Sequence, residues 1–409
     1  MMLTGNDSAN SAGSILPAGL RHGDLMKTRL LVSWCALLVA GIVVTGCGFF
    51  NNSGSTTPGT TGFVYVLNSG GTSGVGSVSG YAANASTGVL SPLVFSPFGV
   101  ASQLSTPNSM SADALGRFVY VSSNLGSGGI NGFIISQNTN TLGQLTSAGV
   151  TATLAAPVAI AVDPAARAVY AVEDGAQVEG FTITASTGAL AAQKNSPYSL
   201  VPPEAGGVSP TSVTVAASGG FLFVGMSNGD ILSVPINSDG TLNIATIVKT
   251  TPLAGVINVA ALTADPTVRL LYAVDGTTNI SAYSINSSTG ALVALRATPF
   301  SAGQGPVSVG VASVNGTPTY VFTANDGGTL GAFIITSNPP LTVVAGSPFP
   351  SSITPLALAV DPSGNFLYLV GSGGSNTVLS FVIVGGALQA PATTNPPTGT
   401  APTAVVAVP

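Results

Sequence analysis

The feature that most constrains the fold of this sequence is a motif that returns about every 50 residues. A short apolar run with a central aromatic residue occurs seven times, with gaps of 55, 50, 53, 49, 48 and 48 residues. The aromatics are Tyr65, Tyr120, Tyr170, Phe223, Tyr272, Tyr320 and Tyr368. Repeats of this length cannot bury an apolar face alone and stabilise one another in closed arrays. Seven copies predict an all-β, seven-bladed β-propeller.

Each copy divides into four strand-like segments, here called A to D from the centre of the ring outwards. Strand A is apolar on both faces, as in the segment 157–162, and strand B carries the aromatic residue. Strand C alternates apolar and polar residues, as in 178–183, and a Ser-Thr-Gly turn such as 186–188 leads to strand D. With 52 Gly and 28 Pro, the chain suits many short strands joined by tight turns. We therefore expect four antiparallel strands in each blade.

The two ends of the repeat region complement each other. The first copy begins at strand B, over 63–68, with no strand A before it. The last copy is followed by the segment 402–409, which aligns with strand A at 355–362. We predict that Thr403–Val408 pairs with Phe63–Leu67 and closes the ring, which leaves no inner edge unpaired. A β-solenoid is the alternative architecture, but its repeat is usually shorter and it needs no such closure.

The N-terminal region has the pattern of a lipoprotein signal peptide. A basic head at 26–29 precedes fifteen uncharged residues, Leu30–Val44, and then Val-Thr-Gly-Cys47. Fifteen residues match the apolar core of a signal peptide and are short for a membrane-spanning helix, although an uncleaved anchor helix is the alternative. We predict that residues 1–25 lie upstream of the true start, that 26–46 are the signal peptide, that 47–62 form a flexible tether and that 63–409 form the propeller.

These boundaries imply a location and a first partner. Cys47 would carry the lipid and anchor the protein to the lipid bilayer of the cell envelope. Gly48 follows it, not the Asp that retains lipoproteins at the inner membrane in well-studied systems, so an outer-membrane or periplasmic location is expected. Cleavage would also remove Cys35 and the only histidine, His22.

One repeat carries a resemblance to a known family. The segment beginning at Gly346 reads GSPFPSSITPLALAVDPSGNFLYLVGSGGSNTVLSF. It resembles the lactonase-type seven-bladed propellers, which are the 6-phosphogluconolactonase-like family and its YVTN-repeat relatives. The resemblance covers Phe63–Pro409 and implies a sugar-lactone hydrolase. Family members with assigned active sites use His, Arg and Glu. The mature chain has no His, so no catalytic residue is carried over.

The six cations of the predicted mature chain fall in two repeat-equivalent places. Three lie at the turn between strands A and B, and three lie on or beside the outermost strand: Arg117, Arg167 and Arg269, then Lys194, Lys249 and Arg296. Both placements suit turn and edge roles. No cluster of Arg or Lys is available to hold a phosphosugar. A pI near 4.6 without a basic stripe excludes nucleic-acid binding, and the missing His excludes a Ser-His-Asp triad.

Acidic residues mark the loops between strands B and C. In propellers these loops open on the same side as the crossings from strand D to the next strand A, which is the usual ligand side. The candidate ligand-binding residues there are Glu173, Asp174, Glu204, Asp275 and Asp326. We expect Glu173, Asp174 and Glu204 to converge on a ligand or on Ca²⁺, which prefers oxygen ligands. The alternative is that these are ordinary turn residues. No other cofactor is expected.

Two functions from different classes follow from these observations. The first is a non-catalytic binding or scaffold propeller, anchored to the envelope, with an unknown small-molecule or protein ligand on the loop side. The alternative is a sugar-lactone hydrolase, in which a Glu or Asp base activates water. A structural surface-layer protein is a third hypothesis. An acid and a cation that converge on the loop side would distinguish the hydrolase.

Overall fold

The computed structural model describes residues 60–70, 76–123, 128–200, 208–267, 269–296, 298–337, 340–374, 376–390 and 395–409. Side chains are described from Gly62 onwards. The predicted signal peptide, Cys47 and most of the tether lie outside the described residues. Among the described residues, no helix is long and apolar enough to cross a membrane.

The described chain forms 32 strands, numbered here in chain order. Blade 1 begins with β1 (Thr60–Asn68), β2 (Ser77–Asn84), β3 (Leu90–Pro92) and β4 (Phe98–Gly99). Blade 2 contains β5 (Pro107–Ala112), β6 (Phe118–Ser123), β7 (Gly129–Ile135) and β8 (Leu145–Thr151). Blade 3 contains β9 (Pro157–Val162), β10 (Ala168–Glu173), β11 (Gln177–Ile183), β12 (Leu190–Ala192) and β13 (Tyr198–Ser199). Blade 4 contains β14 (Pro210–Val215), β15 (Phe221–Met226), β16 (Ile231–Pro235), a 3-10 turn (Ile244–Thr246) and β17 (Val248–Thr250).

The last three blades repeat the same order. Blade 5 contains β18 (Ala261–Ala264), β19 (Leu270–Val274), β20 (Asn279–Ile285), β21 (Leu292–Ala294) and β22 (Phe300–Ser301). Blade 6 contains β23 (Pro306–Val314), β24 (Thr317–Asn325), β25 (Thr329–Ile335), β26 (Leu341–Val343) and β27 (Phe349–Pro350). Blade 7 contains β28 (Thr354–Val360), β29 (Phe366–Ser372), β30 (Leu379–Val384) and β31 (Ala387–Gln389). The final strand of the chain is β32 (Pro402–Val408).

The ring closes as the sequence predicts. β32 is the innermost strand of the first blade, in the order β3-β2-β1-β32. Its pairing with β1 is antiparallel and runs from Phe63 opposite Val408 to Leu67 opposite Ala404. The inner strands then contact one another around the whole ring, from β5 through β9, β14, β18, β23 and β28 to β32 and back to β5. The chain is therefore an all-β propeller of seven antiparallel blades.

The strand-B aromatics join neighbouring blades. In blade 2 the Tyr120 hydroxyl donates a 2.8 Å hydrogen bond to the carbonyl of Gly188, in the turn between strands C and D of blade 3. Gly188 has a φ of +68°, and a Cβ atom there would lie 2.6 Å from the Phe118 ring. The Ser-Thr-Gly turn thus needs glycine both for its backbone and for close packing. Tyr65 and Tyr170 make the same bond to Gly143 and Gly240.

The predicted repeat position is wrong in blade 6, where Phe322, not Tyr320, is the equivalent aromatic. Phe322 pairs with Ala332 on strand C, as Tyr120 pairs with Gly132 in blade 2. Tyr320 corresponds instead to Phe118, two residues earlier on the same strand. Residues two apart on a strand share a face. An alignment of the repeats on aromatic residues alone can therefore be displaced by two residues along strand B.

Candidate functional site

The two sides of the propeller carry different groups of loops, because neighbouring strands are antiparallel. The B–C loops and the crossings from strand D to the next strand A lie on one side, called the loop face below. The A–B and C–D turns lie on the other side, called the turn face.

On the turn face, the acids bind their own turns. Asp113 accepts hydrogen bonds from the backbone N–H groups of Arg117 and Phe118 at 2.6 and 2.8 Å, and its other oxygen pairs with the Arg117 guanidinium at 2.9 Å. Asp163, Asp265 and Asp361 cap the equivalent turns. These acids serve the fold, since their oxygens are used locally.

The most unusual group on the loop face is a pair of buried glutamates in blade 3. Glu173 ends strand β10 and Glu179 lies on the adjacent strand β11, and their exposed fractions are 0% and 4%. Both carboxylate oxygens of Glu179 accept the backbone N–H of Leu154 at 3.1 Å. Among the described residues, no N–H or O–H group donates in good geometry to either oxygen of Glu173. The Glu173 and Glu179 side chains lie on the same face of the β10–β11 hairpin, diagonal to each other across the two strands.

Burial raises the pKa of both glutamates and so shifts both toward the protonated form. Burial, followed by the charge of Glu179, raises the pKa of Glu173 to about 8, although the nearby Ala155 amide offsets part of this effect. Burial also raises the pKa of Glu179, while the Leu154 N–H lowers it. Two adjacent buried carboxyl groups hold one proton between them because both cannot ionise cheaply. Since Glu179 receives the amide donor, it is the ionised member and Glu173 the protonated one.

The position of this pair is repeated in other blades with neutral residues. In blade 2, Asn131 occupies the place of Glu179 and accepts the Ala101 N–H of the preceding crossing at 3.0 Å. In blade 6, Asn325 occupies the place of Glu173 and donates to the Ala302 carbonyl at 2.8 Å. Asn68 and Ser79 form the corresponding pair in blade 1, joined by a 3.0 Å hydrogen bond. In blade 1, Ser79 also accepts the Gly399 N–H of the crossing at 3.1 Å. These positions anchor a crossing to its sheet, and among the described residues only blade 3 places an acid at both of them.

The predicted ligand residues Asp174, Asp275 and Asp326, which the structure describes, do not join this pair. Asp174 follows Glu173 but is exposed in the turn, and Glu204 lies outside the described residues. Asp275 accepts hydrogen bonds from the backbone of Thr277 and Asn279 at 2.8 and 2.9 Å. Although burial raises the pKa of Asp275, these hydrogen bonds lower it, and the net shift is downward. Asp275 is therefore ionised and already satisfied as a turn cap.

Asp326 is exposed and lies over the crossing that leads into blade 6. In that crossing Gly305 has a φ of +64°, which favours glycine, and a Cβ atom there would collide with the Asp326 carboxylate unless that side chain moved. The Asp326 backbone N–H also donates to the Gly305 carbonyl at 2.7 Å. This contact orders the loop face but does not bring Asp326 to the glutamate pair.

The described residues do not assemble the Ca²⁺ site that the sequence suggested. No three acidic, His or Cys side chains lie together in the part of the chain that the structure describes. Glu173 and Asp174 are neighbours, but one side chain is buried and the other exposed. The partner of Glu173 is Glu179, which is not among the ligand-binding residues predicted from the sequence. The alternation of side chains along strands B and C is the sequence signal that could have predicted this pairing, because an antiparallel hairpin brings these two positions onto one face.

A central channel runs between the inner strands. Its volume is about 490 Å³, and it reaches the turn face beside Asp113, Asp361 and Pro409. Its lining comes from inner strands such as β28 and β32. The two aspartates at its end are already bound to their own turns, so the ionisable chemistry of the molecule lies on the loop face.

Seven four-stranded blades, closed by the last strand and carrying a buried acid pair on the loop face, define a seven-bladed β-propeller with an ionisable loop-face site. The family model for lactonase, 7-bladed beta-propeller, matches residues 118–395. The chain belongs to this lactonase family.

Solved structures share the fold at low sequence identity. A protein of Bacteroides uniformis classed as a 6-phosphogluconolactonase is 17% identical, with a TM-score of 0.67 over 85% of this chain and 98% of that one. The periplasmic gluconolactonase of Pseudomonas aeruginosa is 16% identical, with a TM-score of 0.65 over 85% of this chain and 99% of that one. A protein of Lactobacillus plantarum is 16% identical, with a TM-score of 0.66 over 86% and 100%. No protein of curated function matches the chain in sequence.

Proposed function

We propose that this protein hydrolyses a sugar lactone on the loop face, with Glu173 and Glu179 as its acid–base pair. The single observation that carries the proposal is this pair of buried carboxyl groups on one face of the β10–β11 hairpin. Membership of the lactonase family supports the same reaction class. A neighbouring acid and base with separated proton affinities are what ester hydrolysis at neutral pH requires.

In the proposed reaction, water attacks the carbonyl carbon of the lactone while ionised Glu179 takes a proton from that water. The bond between the carbonyl carbon and the ring oxygen breaks, and Glu173 donates its proton to the departing oxygen. The product is an open-chain hydroxy acid. The proton then passes from Glu179 back to Glu173 within the pair. Because the backbone of Leu154 and Ala155 covers the pair, this crossing must move aside for substrate to enter.

The test is hydrolysis of glucono-1,5-lactone by the mature chain, followed as acid release above the spontaneous rate. Glu173→Gln keeps the shape of the protonated acid but cannot transfer a proton, so we expect a loss of about 100-fold or more. Asp174→Asn removes a neighbouring exposed charge and should stay within about twofold of the wild-type rate. A wild-type rate equal to the spontaneous one would reject the lactonase.

A binding or scaffold propeller is the second candidate function. It is favoured by the equivalent positions in blades 1, 2 and 6, where neutral residues anchor the crossings without any acid pair. In this case Glu173 and Glu179 also serve only as an anchor. Saturable binding of glucono-1,5-lactone or gluconate without hydrolysis would support this function against the first.

We also propose that the protein is exported and anchored to the cell envelope by lipid on Cys47. The support comes from the basic head, the fifteen-residue apolar core and the Val-Thr-Gly-Cys sequence. The propeller would then reach its ligand at the end of a flexible tether.

A further inference from the structure

We propose that the loop face accepts an uncharged sugar lactone and discriminates against its phosphorylated counterpart. This inference rests on the proposed lactonase function and names the substrate class of the same site. Two independent observations carry it, namely where the cations lie and which buried polar atoms lack partners.

All six cations of residues 60–409 lie away from the loop-face mouth or are neutralised. Arg117 and Arg167 pair with Asp113 and Asp163 on the turn face. Arg167 also donates to the carbonyls of Asn237, Ser238 and Gly219, so its guanidinium is fully used. Arg269 lies at the equivalent turn and binds Thr267 at 3.0 Å.

The remaining three cations belong to the outer wall. Lys249 lies on β17, the outermost strand of blade 4, and pairs with Asp230 at 2.8 Å. Lys194 and Arg296 follow the outermost strands of blades 3 and 5 and are exposed. A phosphate group is normally held by convergent Arg or Lys side chains or by a row of backbone N–H groups. Lys249 reaches the B–C loop of blade 4, where its charge is paired with Asp230, so none of the described cations is free to do this on the loop face.

The unpartnered buried side-chain oxygens of the loop-face anchors are hydrogen-bond acceptors. They are the amide oxygens of Asn68 and Asn325, which stand at the same repeat position in blades 1 and 6. Both side chains are 0% exposed. A neutral polyhydroxy lactone brings O–H donors that such acceptors can bind. A phosphate brings negatively charged acceptors, which acceptors and acids repel.

The charge on the loop face has the same sign as a phosphate. Asp174 and Asp326 are exposed there, and Asp275 is kept ionised by its turn. Repulsion between exposed charges is weakened by salt, whose Debye length is about 10 Å at 0.1 M. Discrimination against the phosphorylated lactone should therefore weaken as salt is added, whereas hydrolysis of the neutral lactone should not change.

The experiment compares kcat/KM of the mature chain for glucono-1,5-lactone and 6-phosphoglucono-1,5-lactone at low and high NaCl. We expect at least a tenfold preference for the neutral lactone at low salt, falling at high salt. Asp174→Lys should raise kcat/KM for the phosphorylated lactone severalfold and leave the neutral one unchanged. Asp239→Lys makes the same charge change in a C–D turn on the turn face and should alter neither.

Two results would overturn the inference, and they are distinguishable. Equal or faster hydrolysis of the phosphorylated lactone would reject the neutral-substrate preference while leaving the lactonase in place. Hydrolysis of neither lactone above its spontaneous rate would reject the proposed function and this inference together.

Discussion

At the level of single residues, Glu173 should govern how stability depends on pH. Its pKa rises from the ordinary 4.5 to about 8 on folding because the side chain is buried beside Glu179. Between these values the unfolded chain releases the proton that the folded chain keeps. The free energy of unfolding therefore falls as pH rises through this window. Glu173→Gln removes this titration and should be more stable than wild type by about 1–3 kcal/mol at pH 8.5.

The same substitution should have only a small effect at pH 4.5, where Glu173 is protonated in the folded chain and half protonated in the unfolded chain. Urea unfolding at several pH values would measure the difference, with Asp174→Asn as the control for loss of a nearby charge. Parallel stability curves for wild type and Glu173→Gln across pH 4.5–8.5 would contradict the assigned titration.

Two repeat-equivalent tyrosines offer a matched test of the bonds between blades. The Tyr120 hydroxyl donates to Gly188 in the next blade, so Tyr120→Phe should lower the free energy of unfolding by about 1–2 kcal/mol. The hydroxyl of Tyr368 is buried without a hydrogen-bond partner among the described residues. Tyr368→Phe should therefore be neutral or stabilising. Thermal unfolding of both variants would measure the two effects. Equal destabilisation by Tyr120→Phe and Tyr368→Phe would contradict the role of the Tyr120 hydrogen bond between blades.

At the level of elements, β32 determines whether the ring is closed. Val405 and Val408 on this strand are 7% and 2% exposed, and the whole strand pairs with β1. Deleting residues 402–409 should lower the melting temperature strongly, because it exposes an inner edge and apolar side chains. An unchanged melting temperature would contradict closure.

A milder change keeps this prediction testable if the truncated chain does not fold. Val408→Ala should lower the free energy of unfolding by about 1–3 kcal/mol, as is usual for a buried aliphatic truncation. Thr403→Ala changes a half-buried residue on the same strand and should have an effect below about 0.5 kcal/mol.

The strands also show how far local patterns predict structure. The inner-strand segments, the turn-capping aspartates and the closing strand follow from residue spacing, because each depends on contacts within one hairpin or one repeat. The alignment of blade 6 failed since Tyr320 and Phe322 are both aromatic and share a face. Only the residue opposite each one on strand C distinguishes them.

For the molecule as a whole, lipid attachment at Cys47 is the prediction that fixes where the propeller works. Cells grown with a labelled fatty acid should incorporate the label into the wild-type protein. Cys47→Ala should abolish labelling and leave the uncleaved precursor, because the thiol is the acylated group. Cys35→Ala changes the other cysteine, within the predicted signal peptide, and should keep the label. Equal labelling of wild type and Cys47→Ala would refute the anchor.

The sequence by itself determined the number of blades, their four-strand pattern and the closure of the ring. The spacing of the repeats predicts the blades and their strands, because each blade repeats the same local contacts. The absence of a strand A before the first strand B predicts the closure. Spacing also placed the cations at turns and outer strands, and the structure locates them there.

Only the tertiary structure decided which acids form a site. Glu173 and Asp174 are adjacent in sequence, yet one is buried and the other exposed. Glu179 becomes the partner of Glu173 because the hairpin places both on one face and the crossing through Leu154 covers them. Their shared proton depends on exclusion of water by a segment from the preceding blade. Burial of that kind arises from packing between neighbouring repeats. It therefore cannot be predicted from the sequence of a single repeat.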